Sequence, residues 1–214
     1  MAQVKICGLS TPVTLQVALD AGSDMVGLVF YERSPRNVSY EKAAALANQA
    51  RGKARIVALV VDADDERLKS IAELVKPDYF QAHGSETPER VGEIQRLTNI
   101  PVIKAIKVKD AGDIESAKAF AEVAAMILYD AKAPETLIGA LPGGNGLSFD
   151  WALLRGSKRP AFMLSGGLTP ENVAKAIAVT KAPIVDVSSG VESAPGQKDP
   201  DLIRKFIEVA KAAR

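Results

Sequence analysis

The feature that most constrains this chain is a repeat in its hydrophobic pattern. Short apolar runs alternate with helical stretches from one end to the other. Val4–Cys7, Met25–Phe30, Ile56–Val61, Tyr79–Gln81, Val102–Ile106, Ala125–Tyr129, Ala161–Leu164 and Ile184–Val187 read as strands. Met25–Phe30 shows the type: it is apolar throughout, as a strand covered on both faces is. Pro12–Asp20, Tyr40–Ala50, Asp64–Val75, Pro88–Leu97, Asp113–Glu122 and Pro170–Val179 read as the intervening helices, and Leu202–Ala213 as the last. Thr11 caps the first helix; Thr169 is expected to cap another, with Pro170 at its first position. Asp130–Leu147 is too rich in Gly and Pro for a helix, and a short helix is expected at Asp150–Leu154. Eight such units without a break in composition predict an α/β fold, a single-domain (β/α)8 TIM barrel over residues 1–214. The competing architecture is an open doubly wound sheet. It lacks support because no G-x-G-x-x-G follows the first strand.

Bulk properties narrow the function. With 214 residues, 47% of them hydrophobic, the chain can build one sizeable core. A formal net charge of +1 gives no general attraction to nucleic acid or to a membrane. A single cysteine makes no internal disulfide, and with a single histidine no Cys/His metal set is expected. The N-terminus is polar within five residues, unlike a signal peptide. No apolar run reaches the roughly 18 residues that span a bilayer. The expectation is a soluble cytoplasmic protein, monomer or homodimer, with no membrane or nucleic-acid partner.

A barrel of this kind carries its site where the strands end. That places Cys7, Gln81, His83, Asp130, Gly166, Gly167, Asp186, Ser188, Ser189 and Gly190 around one rim. Glycines cluster there on three consecutive loops: Gly143-Gly144-Asn145-Gly146, Gly166-Gly167 and the segment ending in Gly190. Glycine lets backbone N–H groups approach an anion, and barrels bind phosphate after strands seven and eight. Gly144, Gly146, Gly166, Gly167, Ser188, Ser189 and Gly190 are the candidate phosphate ligands. Side chains two apart in a strand share a face, so an inward Cys7 brings Lys5 inward one layer deeper. Asp186, inward from the adjoining eighth strand, is the expected partner of Lys5; the pair would orient the site, and its positive end would favour the Cys7 thiolate.

The motifs now form an ordered set: Lys5-Ile6-Cys7-Gly8-Leu9, Ser34-Pro35-Arg36, Gln81-Ala82-His83-Gly84, Leu128-Tyr129-Asp130, Gly143-Gly144-Asn145-Gly146 with Phe149-Asp150-Trp151, Gly166-Gly167-Leu168-Thr169-Pro170-Glu171-Asn172-Val173, and Asp186-Val187-Ser188-Ser189-Gly190-Val191-Glu192 leading to Lys198-Asp199. The set resembles the phosphoribosylanthranilate isomerases of tryptophan biosynthesis over nearly the whole chain. Ala82, Ser85, Tyr129 and Ser165 depart from the family's usual residues, and none removes a group expected to do chemistry. The resemblance implies an Amadori rearrangement of N-(5-phosphoribosyl)anthranilate, a small phosphorylated substrate, with no cofactor and no metal. It implies Cys7 as general base and Asp130 as general acid, with Arg36 on the anthranilate carboxylate. Gln81 and Asp186 are further candidate substrate contacts; His83 is expected to support the site rather than react.

The chemistry asks for an acid at the furanose ring oxygen and a base at sugar C2. A thiol ordinarily loses its proton near pH 8.5 and a carboxylic acid near 4, the reverse of what these roles want at neutral pH. A histidine-pathway sugar-phosphate isomerase is the nearest alternative, but it carries aspartate at the end of strand one. A non-catalytic binder of a phosphorylated metabolite is the alternative of another class, and the presence of both proton-transfer groups speaks against it.

Overall fold

The computed structural model describes residues 1–133, 141–155 and 162–213. Eight parallel strands close into a barrel in chain order. They are β1 (Gln3–Cys7), β2 (Met25–Phe30), β3 (Arg55–Val60), β4 (Tyr79–Ala82), β5 (Val102–Val108), β6 (Met126–Ala131), β7 (Phe162–Leu164) and β8 (Ile184–Val187). The helices are α1 (Pro12–Asp20), α2 (Tyr40–Ala50), α3 (Asp65–Val75), α4 (Pro88–Thr98), α5 (Ala111–Ser116), α6 (Val173–Thr180) and α7 (Pro200–Ala212). The barrel shuts where β1 meets β8, with Lys5 opposite Asp186. Strand alternation divides the apolar residues into two cores. Met25, Val57, Ile103, Ala105, Leu128, Met163 and Ile184 fill the barrel interior. The larger core lies between strands and helices, and includes Phe80, Leu15, Leu46, Ile71 and Phe206.

Side-chain caps set where most helices begin, by accepting the first free N–H groups. Thr11, Ser39, Asp64 and Thr87 do this for α1 to α4. Three helix starts differ by two residues or more from the sequence expectation, each for a local reason. Asp110 and Asp113 form a capping box, so α5 starts at Ala111 and passes into a 3-10 turn, Ala117–Phe120. Asp199 accepts from the N–H groups of Asp201 and Leu202, so α7 starts at Pro200. Thr169 and Pro170 do not open α6. Asn172 accepts from Thr169 N and donates to Gly167 O, which folds residues 169–172 as a turn, and α6 begins at Val173.

Other differences bear on the site. Strand β6 runs on through Asp130 to Ala131, so the expected acid is anchored within a strand. Trp151–Leu154 is a 3-10 turn rather than an α-helix. After β8 the chain forms a hairpin that the sequence reading lacked, β9 (Glu192–Ala194) against β10 (Gln197–Lys198). Ala161, expected to open β7, and residues 134–140 of the loop after β6 lie outside the described residues.

Helix α7 shows how the outer layer is held: Ile203, Phe206, Ile207 and Ala210 are buried along one face. Truncating Phe206, with none of its surface exposed, is expected to cost about 3–5 kcal/mol of unfolding free energy. Lys205→Ala on the exposed face should change it by less than about 0.5 kcal/mol, as chemical denaturation would measure.

Candidate active site

The strand ends open into a cleft lined by Cys7, Arg36, Gln81, His83, Asp130 and Asp186, together with the glycine loops after β6, β7 and β8. Cys7 is the last residue of β1 and is buried. Its neighbour on β2 is Gly27. A Cβ at Gly27 would lie 2.8 Å from the Cys7 Sγ and 3.2 Å from the Lys5 Nζ. Gly27 therefore makes room for both side chains, a role that the sequence reading missed. The available signal was a glycine inside an otherwise apolar strand, which marks a close approach.

Lys5 lies one layer below the thiol, fully buried, with its Nζ 2.8 Å from Asp186 Oδ1. The other Asp186 oxygen accepts from Ser165 Oγ at 3.2 Å. This is the pairing that strand parity predicts. Burial opposes the charge on Lys5, but the attraction and hydrogen bonding of Asp186, joined by those of Cys7, outweigh it and hold the ammonium above its ordinary pKa. The expected pull of Lys5 on Cys7 is present, but it does not dominate. Burial is the largest influence and pushes the thiol up. Lys5 and, more weakly, Lys198 pull it down, Asp186 adds to the rise, and the sum stays above an ordinary cysteine. Lys5 thus limits the cost of ionising Cys7 without abolishing it.

Asp130 projects from β6, and its Oδ1 accepts from Ala131 N at 2.9 Å. Its Oδ2 is 3.1 Å from His83 Nε2, and the other ring nitrogen is 2.7 Å from the Gln81 side-chain amide. Gln81 is wholly buried, with its polar end turned to His83. The loop carrying His83 is fixed from the outer side of the barrel. Lys104 of β5 meets Glu86 at 2.7 Å and Gly84 O at 2.8 Å, while Glu86 accepts from the N–H groups of Gly84 and Asp62.

Arg36, on the loop after β2, crosses the end of β1. A Cβ at Gly8, where φ is +78°, would lie 2.6 Å from the Arg36 Cδ. The guanidinium makes a bidentate contact with Glu192, both bonds 2.8 Å, and reaches Gly144 O at 3.3 Å. Its Nη1 has no hydrogen bond among the described residues. Lys198 meets the same Glu192 at 2.5 Å and Ser188 O at 2.9 Å. Burial alone would raise the Glu192 pKa, yet the bonds from Arg36 and the charge of Lys198 hold it below the usual carboxylate range. Burial pulls Lys198 down, against the attraction of Glu192. Glu192 and Lys198 stand in the sequence motifs, but only the hairpin that brings them together reveals their part in fixing Arg36.

At the phosphate end, Gly166 and Gly167 adopt φ of +88° and +62°. Their N–H groups donate to no acceptor among the described residues. Gly190 packs so closely on the loop after β7 that a Cβ there would fall 1.8 Å from Leu168 O. Gly144 and Gly146, with φ of +74° and +73°, form the third edge. The Ser188 hydroxyl donates to Cys7 O, and that of Ser189 lies 3.9 Å from where a Gly146 Cβ would stand.

Residues 4–209 match the family model of N-(5'-phosphoribosyl)anthranilate isomerase. The chain belongs to that family. It is 54% identical to the N-(5'-phosphoribosyl)anthranilate isomerase of Rhodopseudomonas palustris over 98% of this chain and 95% of that protein. It is 50% identical to that of Parvibaculum lavamentivorans over 99% of each. Among solved structures, the phosphoribosylanthranilate isomerase of Thermotoga maritima superposes with a TM-score of 0.88 at 37% identity, covering 99% of this chain and all of that one. A complex of a phosphoribosylanthranilate isomerase with reduced 1-(o-carboxyphenylamino)-1-deoxyribulose 5-phosphate gives 0.85 at 36% identity, with the same coverage. The fold and the isomerase assignment implied by the motifs thus stand. No helix among the described residues is long and apolar enough to cross a membrane.

The buried pair under the thiol gives a sharp expectation. Lys5→Met should lower unfolding free energy by about 3–5 kcal/mol in a denaturant titration, because it leaves the Asp186 charge unpaired. Lys5→Met combined with Asp186→Leu should recover much of that loss.

Proposed function

We propose that this chain catalyses the Amadori rearrangement of N-(5-phosphoribosyl)anthranilate to 1-(2-carboxyphenylamino)-1-deoxyribulose 5-phosphate in tryptophan biosynthesis. Cys7 serves as the general base and Asp130 as the general acid. The observation that carries the reading is the placement of these two groups. They stand at the ends of β1 and β6 and line the same cleft, with the unpaired N–H groups of Gly166 and Gly167 on the loop after β7.

The glycine loops after β6, β7 and β8 suit the phosphate, through Gly144, Gly146, Gly166, Gly167, Ser188, Ser189 and Gly190. Because the Ser188 hydroxyl is engaged with Cys7 O, its contribution is read as the backbone N–H. Arg36 presents its free Nη1 edge to the anthranilate carboxylate while Glu192 holds the guanidinium plane still. Asp186 reaches the substrate through its place on the cleft floor, and Gln81 acts from beneath His83. Binding both ends of the substrate fixes the reacting carbons between the base and the acid, which converts binding into rate.

Asp130 gives its proton to the furanose ring oxygen as the C1–O bond breaks and the anthranilate nitrogen lone pair forms the C1=N bond. The Cys7 thiolate then takes the proton from C2. The electrons of that C–H bond form C1=C2, and the C=N pair returns to nitrogen. The resulting enolamine tautomerises to the ketone. Solvent restores the proton to Asp130 and removes it from Cys7. The chain acts as one barrel domain in the cytoplasm, as a monomer or as a homodimer. A related structure is described as monomers generated from a dimeric Thermotoga maritima enzyme.

The loss of substrate fluorescence on turnover tests the assignment. Cys7→Ala and Asp130→Asn should each lower kcat by at least about a thousandfold with KM within a few-fold, and full turnover in Cys7→Ala would end this reading. The pH profile has a defined sign. Thiolate paired with protonated acid is a minority state, so kcat/KM should plateau between the two ionisations. It should fall on the alkaline side only where the thiol titrates. Since burial raises the Cys7 pKa, that alkaline limb should lie above the ordinary thiol range.

A further inference from the structure

The chain Gln81–His83–Asp130 holds more than a support for a loop. Gln81 Nε2 faces His83 Nδ1 at 2.7 Å, and Gln81 Oε1 is buried with no hydrogen-bond partner among the described residues. Among the described residues nothing else ties down either end of the amide. Turning it by 180° exchanges oxygen for nitrogen at the histidine and breaks no other bond. The two settings are not equivalent chemically. With nitrogen facing the ring, Nδ1 must accept, a neutral imidazole then carries its hydrogen on Nε2, and that hydrogen points at an ionised Asp130. In this setting the donor holds no proton to give.

We propose that Gln81 and His83 are positioning residues for the proton donor: in the competent setting the Gln81 carbonyl oxygen accepts the His83 Nδ1–H, and His83 Nε2 and Asp130 Oδ2 share one transferable proton. Asp130 Oδ1 is already taken by the Ala131 N–H, so the shared proton lies on the Oδ2 side, 3.1 Å from Nε2. Gly143 covers this contact directly, since a Cβ there would lie 2.6 Å from Nε2 and 2.8 Å from Oδ2. On ring opening the proton leaves Oδ2 for the sugar oxygen, which takes it with the electron pair of the broken C1–O bond. The pair is then an imidazole and a carboxylate, and solvent reloads it. This inference rests on the acid role of Asp130 proposed above.

The titratable and charged groups around the pair are Cys7 of β1, the Lys5–Asp186 pair on the floor, Lys107 beside Asp130 in the β5–β6 register, and Arg36 against Gly144. On the outer side lie the Lys104–Glu86 pair and the Asp62 carboxylate against Gly84. All of them persist in the variants below, so differences between variants report the amide.

His83 is the chain's single histidine, so its ring nitrogens can be observed without assignment ambiguity. Protein labelled with nitrogen-15 histidine should show hydrogen on Nδ1 in the complex with reduced 1-(o-carboxyphenylamino)-1-deoxyribulose 5-phosphate. Hydrogen confined to Nε2 in both free and bound protein overturns the inference. Kinetics give the second readout. Gln81→Glu, when ionised, can only accept at Nδ1 and should move the acid limb of kcat/KM to higher pH and raise the plateau, by up to about tenfold for each unit of displacement. Gln81→Leu should move that limb to lower pH and lower the plateau about tenfold for each unit of displacement, with KM within about threefold. Displacement of both variants in one direction, or a lower plateau with an unmoved limb, reduces Gln81 to a structural residue and overturns the inference. If Gln81→Leu melts early, Gln81→Glu and the labelled wild type decide the matter. Turnover with the Nε2–H form alone rejects this inference and leaves the acid–base assignment standing. Absence of turnover in the wild type overturns both.

Discussion

The ion pair between Lys5 and Asp186 sits where the first and last strands of the barrel meet. Two charges inside a barrel cost several kcal/mol each in lost hydration, and apolar residues of similar volume would pack at least as stably. The pair is understandable through what stands above it. Cys7 is buried on the same face of β1, and burial alone makes a thiolate expensive. An ammonium directly beneath reduces that expense, and Asp186 keeps the ammonium charged. The interior below is apolar, from Met25 to Met163, so the charges are confined to the layer that serves the cleft.

The acid side is organised on another principle. Among the described residues no lysine or arginine is bonded to Asp130; its oxygens meet a backbone N–H and an imidazole. The two groups proposed for proton transfer are therefore treated oppositely. A lysine lies beneath Cys7, the proposed base, and favours its charged form. A hydrogen-bond chain through His83 and Gln81 meets Asp130, the proposed acid, and glycine backbone is packed tightly against it. At Cys7 the lysine offsets only part of the cost of burial, and the thiol still titrates above an ordinary cysteine.

Much of this was legible in the sequence because barrels reduce to periodicity. Continuous apolar strands gave the number of units, and residue parity put Lys5 under Cys7 and opposite Asp186. The ends of strands gave the rim. What parity does not encode is contact between loops distant in sequence. The Glu192 carboxylate that fixes Arg36 comes from a hairpin of three- and two-residue strands, too short to leave a periodic signal. The late start of α6 is similar: Thr169 and Pro170 are good opening residues, and only the reach of Asn172 back to Gly167 shows that they form a turn. Gly27 lay in an apolar run where every neighbour made sense, so the volume it leaves empty was invisible until the thiol and ammonium were placed in it.

Closure of the barrel also has a consequence for the order in which a ribosome delivers the chain. Lys5 emerges 181 residues before Asp186, and Cys7 O is joined to the Ser188 hydroxyl across the same interval. Until the final strand is available, a nascent barrel has an open edge along β1 and an unpartnered ammonium destined for its interior. The half-built site is thus held in a hydrated, unfinished state, and the thiol gains its surroundings only once β8 has been made.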